Sequence, residues 1–106
     1  MPLYLGRFKY SAAAIKAMID NPQDRRSAAQ EAAESLGCKL HDLWWTLGDR
    51  DGVFLLEAPD NVAVVALSMA VGASGDISTE NTVLLDMDEA QEAMRRAAAA
   101  TFRPPS

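Results

Sequence analysis

A chain of 106 residues, 49% hydrophobic and 24% charged, has the length of one domain and the composition of an ordinary folded one, and it is long enough to bury a core without covalent staples. Its net charge of -5 excludes a nucleic-acid partner, which would call for a concentrated basic face. One cysteine, Cys38, leaves neither an internal disulfide nor a paired-thiol metal spacing. The start MPLYLGRFKY lacks a signal-peptide pattern, and no stretch approaches the ~20 apolar residues of a membrane span. The expectation is a cytoplasmic protein with no membrane partner.

In chain order, residues 3–9 alternate as a strand, with Tyr4 and Phe8 on one side and Leu3, Leu5, Arg7 and Lys9 on the other. Ser11 then offers a cap for a helix carrying Ile15, Met18 and Ile19 at helical spacing. Asn21, Pro22 and Gly37 predict a second helical piece, with Asn21 as cap, Pro22 at the first position and Gly37 as left-handed terminator. Its alanine-rich face, with Ala28, Ala29, Ala32, Ala33 and Leu36, permits close approach to a sheet.

CKLHDLWWTL, the turn GDRDG and VFLLEA form an antiparallel hairpin over residues 38–58. Asp60 can cap NVAVVALSMAVGA, which is apolar nearly all round and therefore buried. GASGD ends that helix and leads into a strand at 77–86. Asp88 with Gln91 resembles a capping box for a last helix.

The order β-α-β-β-α-β plus a C-terminal helix is the α+β, ferredoxin-like split βαββαβ arrangement, a four-stranded antiparallel sheet with its crossover helices on one face. The expected domain runs over residues 1–102, with a mobile tail at 103–106.

A sheet covered on one side should alternate apolar with polar. This one carries large apolar groups on both sides: Leu43, Trp44 and Trp45, then Val53, Phe54, Leu55 and Leu56, then Val83, Leu84 and Leu85. A tryptophan left in water forgoes roughly 4 to 6 kcal/mol as an upper bound. One of the two tryptophans is therefore expected under the helices. The other should rest on a partner subunit's sheet or on a small apolar ligand, unless the C-terminal helix folds over the open face. Trp44, Trp45, Phe54, Leu56 and Leu84 are the expected interface or ligand residues, and a homo-oligomer through the open sheet face is the expected assembly.

The pieces Tyr10-Ser11, ESLGCKL, GDRD, EAPD and GASGDISTE, falling in that order, resemble the GYD domain family over roughly residues 3–86. The family is similar in fold to the dimeric α/β-barrel group, so the resemblance implies that fold and self-association. It carries over no catalytic activity. The family's glycine, tyrosine and aspartate fall on Gly48, Arg50 and Asp51, and with arginine at the tyrosine position no role of an aromatic hydroxyl carries over.

Three side chains are candidates for chemistry. His41, the only histidine, could act as general base or as an axial ligand to a haem-like group, though a strand-end histidine without a role is the plainer reading. By simple alternation it is in phase with Leu43, Trp45 and Leu47, and Asp42 points the other way; only a bulge would change that count. Glu57 lies late in an apolar strand, where a bond to Arg7 or Lys9 or a place in a ligand pocket would account for it. Tyr4 could line a cavity between sheet and helices.

GDRDG lacks the oxygen spacing of a cation loop, so no metal site is expected. GASGD leaves a helix rather than opening one, so no dinucleotide is expected, and no cofactor is assigned. Two functions remain: a non-catalytic, self-associating module that can shield a small apolar ligand, or a dimeric α/β-barrel-type enzyme, a cofactor-free oxygenase or isomerase with a pocket near His41.

Overall fold

The computed structural model describes residues 1–106. The elements are β1 (Leu3–Tyr10), α1 (Ala12–Asp20), α2 (Arg26–Ser35), β2 (Lys39–Trp45), β3 (Gly52–Glu57), α3 (Asn61–Gly72), β4 (Ile77–Leu84) and α4 (Met87–Ala98). The strands form one antiparallel sheet in the order β2-β3-β1-β4. Each βαβ unit thus leaves a gap filled by a strand of the other, which is the split, ferredoxin-like topology the element order predicts. No helix is long and apolar enough to cross a membrane.

Local chemistry explains most boundaries. Ser11 accepts the Ala14 N–H at 3.1 Å and Asp60 the Ala63 N–H at 2.9 Å, so α1 and α3 start where their caps predict. Gly37, at φ +73°, ends α2 in the left-handed region. Two starts differ from expectation. Pro22 does not open α2, because the Asp24 carboxylate accepts the Arg26 N–H at 2.8 Å and begins the turn there, leaving residues 22–25 irregular. The last capping box is Asp86 with Glu89, not Asp88 with Gln91: each side chain accepts the other's N–H, at 2.8 and 3.1 Å. That choice places Asp88 and Glu89 together in the first turn, where the helix dipole favours negative charge.

Register assigns the faces. β1 pairs with β3 as Tyr4↔Leu56, Gly6↔Phe54 and Phe8↔Gly52, and paired residues share a face. Rings and glycines alternate across this pair. A methyl group on Gly6 would stand 1.9 Å from Cζ of Phe54, and one on Gly52 would stand 2.0 Å from Cζ of Phe8. Each ring therefore lies over the glycine of the other strand, and the two rings stack with centroids 6.4 Å apart.

The helix-covered face packs Tyr4, Leu40 and Leu56 against Ala33 of α2 and Val64 of α3. Alanine on α2 lets the helix approach closely, as its composition predicts. The Tyr4 hydroxyl donates to Asn61 Oδ1 at 2.7 Å, tying the centre of the sheet to the start of α3.

Cover is scarce elsewhere. Only 10 of 106 residues are buried, and neither α1 nor α4 buries any. The C-terminal helix therefore does not roof the open face: Met87 is 74% exposed and Met94 67%. The accessible surface is 7592 Å², against about 5,800 Å² for a compact monomer of this mass. The radius of gyration, 17.5 Å, likewise exceeds the roughly 13 Å of a compact chain of this length.

Two stability outcomes follow from the covered face. Gly6→Ala should cost about 1–3 kcal/mol, because the Phe54 ring must leave its seat, and a lowered urea midpoint with unchanged slope would show it. Tyr4→Phe removes one part-buried hydrogen bond and should cost about 1 kcal/mol, read as a fall of several degrees in melting temperature at fixed protein concentration.

Candidate functional site

The two faces of the sheet hold different chemistry, and one residue decides how the candidates divide between them. Between Leu40 and Asp42 the β2–β3 register shifts: Leu40 opposes Leu56, Asp42 opposes Leu55, and His41 is the extra residue. The bulge undoes simple alternation. Leu43 and Trp45 turn to the helix face, while His41 leaves them and reaches Glu57 on the other face, Nε2 to Oε1 3.4 Å. Glu57 finds His41 and not Arg7 or Lys9, because its neighbours across the ladder are Leu3 and Lys39. Arg7 stands opposite Glu80, which also binds Arg50 at 2.7 Å, and Lys9 donates to the Asp49 carbonyl.

Asp51 does turn chemistry. Its carboxylate accepts the Tyr10 N–H at 2.7 Å and its own N–H donates to the Phe8 carbonyl, which pins the hairpin tip to β1. Arg50, at the family's tyrosine position, is used in the ion pair with Glu80. Cys38 is buried, and burial together with the nearby Asp60 carboxylate pushes its thiol above the ordinary value, so it stays a neutral packing residue.

The open face presents Leu3 and Leu5 of β1, Val53 and Leu55 of β3, Trp44 of β2 and Leu84 of β4, placed there by register. Leu5 opposes Leu55, Leu3 opposes Leu84 and Trp44 opposes Val53, so the patch is continuous across all four strands. Charges of both signs surround it: Arg7, Lys9 and Lys39, with Glu57 and Glu80.

Neither tryptophan lies under the helices. Trp44 on the open face is 50% exposed and Trp45 on the helix face 58%. Trp45 stacks on Tyr10 at 5.6 Å and meets Phe8 edge-on at 6.1 Å, but these rings cover only one side of the indole.

The helix face lines a half-open cavity of about 90 Å³ between the sheet and helices α2 and α3. Phe54 and Leu56 line it, as do Phe8 and Leu40. Tyr4 belongs to the neighbouring core, and His41, Glu57, Trp44 and Leu84 lie on the far side of the sheet or at its edge.

Its polar wall consists of three residues that sequence reasoning had not joined. Asn81 Nδ2 donates to Ser68 Oγ at 3.1 Å and Thr79 Oγ1 to the same oxygen at 2.9 Å. Asn81 Oδ1 is buried without a partner. Signals for this trio exist in the chain: Ser68 is the one hydroxyl in a helix that is apolar after Asn61, and asparagine is depleted in strands. Tyr10 and Arg25 stand at the rim, Arg25 being the exposed lining residue. Burial pushes the Tyr10 phenol above its ordinary range, partly offset by the Arg25 guanidinium, so it is a neutral hydroxyl near pH 7.

No curated protein and no solved structure matches the chain. A family model does, over residues 4–94, most of the chain and every strand of the sheet. The glycine turn at the hairpin tip, the split βαββαβ sheet and that match agree: the chain belongs to the GYD domain family.

Proposed function

We propose that this protein works as a self-associating, non-catalytic module whose open sheet face is covered by a second copy of the same chain. The observation that carries the reading is the surplus of surface. The chain exposes about 1,800 Å² more than a compact monomer of its mass, and a standard interface takes about 800 Å² from each partner. Part of the surplus belongs to α4 and the residues after it. The patch of Leu3, Leu5, Val53, Leu55, Leu84 and Trp44 supplies the apolar centre, and the mixed charges around it suit a polar rim. A self-complementary pairing about a two-fold axis lets Lys39 or Arg7 of one copy approach the glutamates of the other.

Sheet-on-sheet packing of this kind is the dimeric arrangement of the α/β-barrel group the fold resembles. It leaves the cavity on the opposite face of each copy free to take a small apolar guest. A single buried cysteine asks for no oxidising compartment, which supports placing the protein in the cytoplasm. The enzyme reading, an oxygenase or isomerase with His41 as base, gains no support, because the imidazole and the cavity lie on opposite faces of the sheet.

Sedimentation equilibrium tests the assembly. The wild-type chain should show a mass of at least twice 11.4 kDa at micromolar concentration, and Trp44→Glu should reduce it to one subunit while the far-ultraviolet spectrum stays unchanged. Trp45→Ser, on the other face, should leave the mass as it is. A wild-type mass of one subunit overturns the reading, and so does an unchanged mass in a folded Trp44→Glu variant.

A further inference from the structure

Helix α4 is the most strongly amphipathic of the four, and its apolar stripe is left without cover. It buries no residue, and no strand or other helix of its own chain packs along it. At 12 residues it has the length at which an isolated helix is marginal in water and depends on packing of its apolar face. That face is formed by Met87, Ala90, Ala93, Met94, Ala97 and Ala98, which fall on one side at helical spacing.

The charges beside the stripe select its partner. Asp88 and Arg95 lie along one edge and Glu89 and Arg96 along the other, the acid in the N-terminal half each time and the arginine in the C-terminal half. Two such helices side by side in the same direction set acid against acid and arginine against arginine. In opposite directions they set Asp88 of each copy level with Arg95 of the other, and Glu89 level with Arg96, with the two helix dipoles also opposed. The same alignment brings Met87 of each copy over Ala97 of the other, and Ala90 over Met94, so every long side chain meets a short one. Within one copy Arg95 and Arg96 each use Nε on Glu92, at 3.0 and 3.1 Å, and Glu92 points away from the stripe. Their remaining guanidinium N–H groups are free for a carboxylate across the pair.

We infer that α4 pairs antiparallel with α4 of a second copy, through its methionine–alanine stripe, about the two-fold axis of the dimer. This rests on the sheet-face association proposed above, because a helix about 18 Å long is too small to supply the roughly 800 Å² per partner of a standard interface. The sheets bring the copies together and the helices close the contact. The apolar surface is continuous between the two: Leu84 belongs to the outer patch of the sheet, and the exposed Leu85 and Met87 carry it onto α4.

Oxidative cross-linking reads the alignment. In Met87→Cys/Ala97→Cys the two thiols lie about 15 Å apart along one helix, too far to join, while antiparallel pairing sets each beside its counterpart in the second copy. Mild oxidation should convert most of this variant to a covalent dimer on a non-reducing gel. Met87→Cys alone should give little, and adding Trp44→Glu to the double variant should abolish the link. Met94→Gln, which keeps helix propensity but puts an amide in the stripe of both copies, should raise the dimer dissociation constant at least tenfold in a sedimentation dilution series, with the far-ultraviolet spectrum unchanged.

A wild-type dimer whose folded double-cysteine variant stays unlinked overturns the α4 pairing and leaves the sheet contact standing. So does equally ready linking of Met87→Cys alone, which is the parallel alignment, and so does an unchanged dissociation constant in Met94→Gln. A wild-type mass of one subunit overturns the sheet association and the helix pairing with it.

Discussion

The pairing of β1 with β3 at the centre of the sheet is the constraint on which the rest depends. Because side chains alternate with a period of two, this one register decides for every residue whether it faces the helices or the open side. A slip by one position would move Tyr4, Phe8, Phe54 and Leu56 out of the core and bring Leu3, Leu5 and Leu55 into it. Hydrophobicity alone would hardly resist such a slip, since both sets are apolar. The rings over Gly6 and Gly52 do resist it: each needs a missing side chain opposite, and only one register supplies both. Specificity here comes from shape, in a strand pair where polarity is nearly mute.

The same ambiguity explains how much could be read in advance. The β-α-β-β-α-β order, the caps at Ser11 and Asp60 and the terminator at Gly37 were legible because each rests on local chemistry within a few residues. The family was legible from short ordered motifs. What resisted reading was decided across the sheet or between equivalent caps. Asp24 outcompeted Pro22 for the start of α2, and Asp86 outcompeted Asp88 for that of α4; both rivals satisfy the same preferences in the sequence. The bulge at His41 carries no marker of its own, being neither glycine nor proline, yet it moves the only histidine to the opposite face from the one alternation predicts. With it goes the idea of an imidazole beside the cavity.

The polar corner was illegible for another reason. Ser68 and Asn81 are 13 residues apart on different elements, and either one alone reads as a tolerated exception. Their hydrogen bond exists only once α3 is laid on β4. Thr79 shares this corner, while its neighbour Glu80 turns outward to Arg50. Alternate residues of one strand thus serve two sites.

That division has a thermodynamic consequence for how the faces relate. A guest in the cavity contacts α2, α3 and the inner side chains of the sheet, whereas a second copy would contact the outer ones, so the two events share backbone but no side-chain surface. Competition for area is excluded. Any coupling must pass through the sheet, and the elements able to carry it are β4, which lines the cavity with Thr79 and Asn81 and borders the outer patch with Leu84, and β3, through Phe54 and Leu55. Linkage requires that coupling to be reciprocal: if a guest tightened the assembly by some factor, assembly would tighten the guest by the same factor. A centre as densely interlocked as Gly6, Phe8, Gly52 and Phe54 leaves little room for the strands to shift, and a stiff sheet of this kind favours two nearly independent faces over one switch.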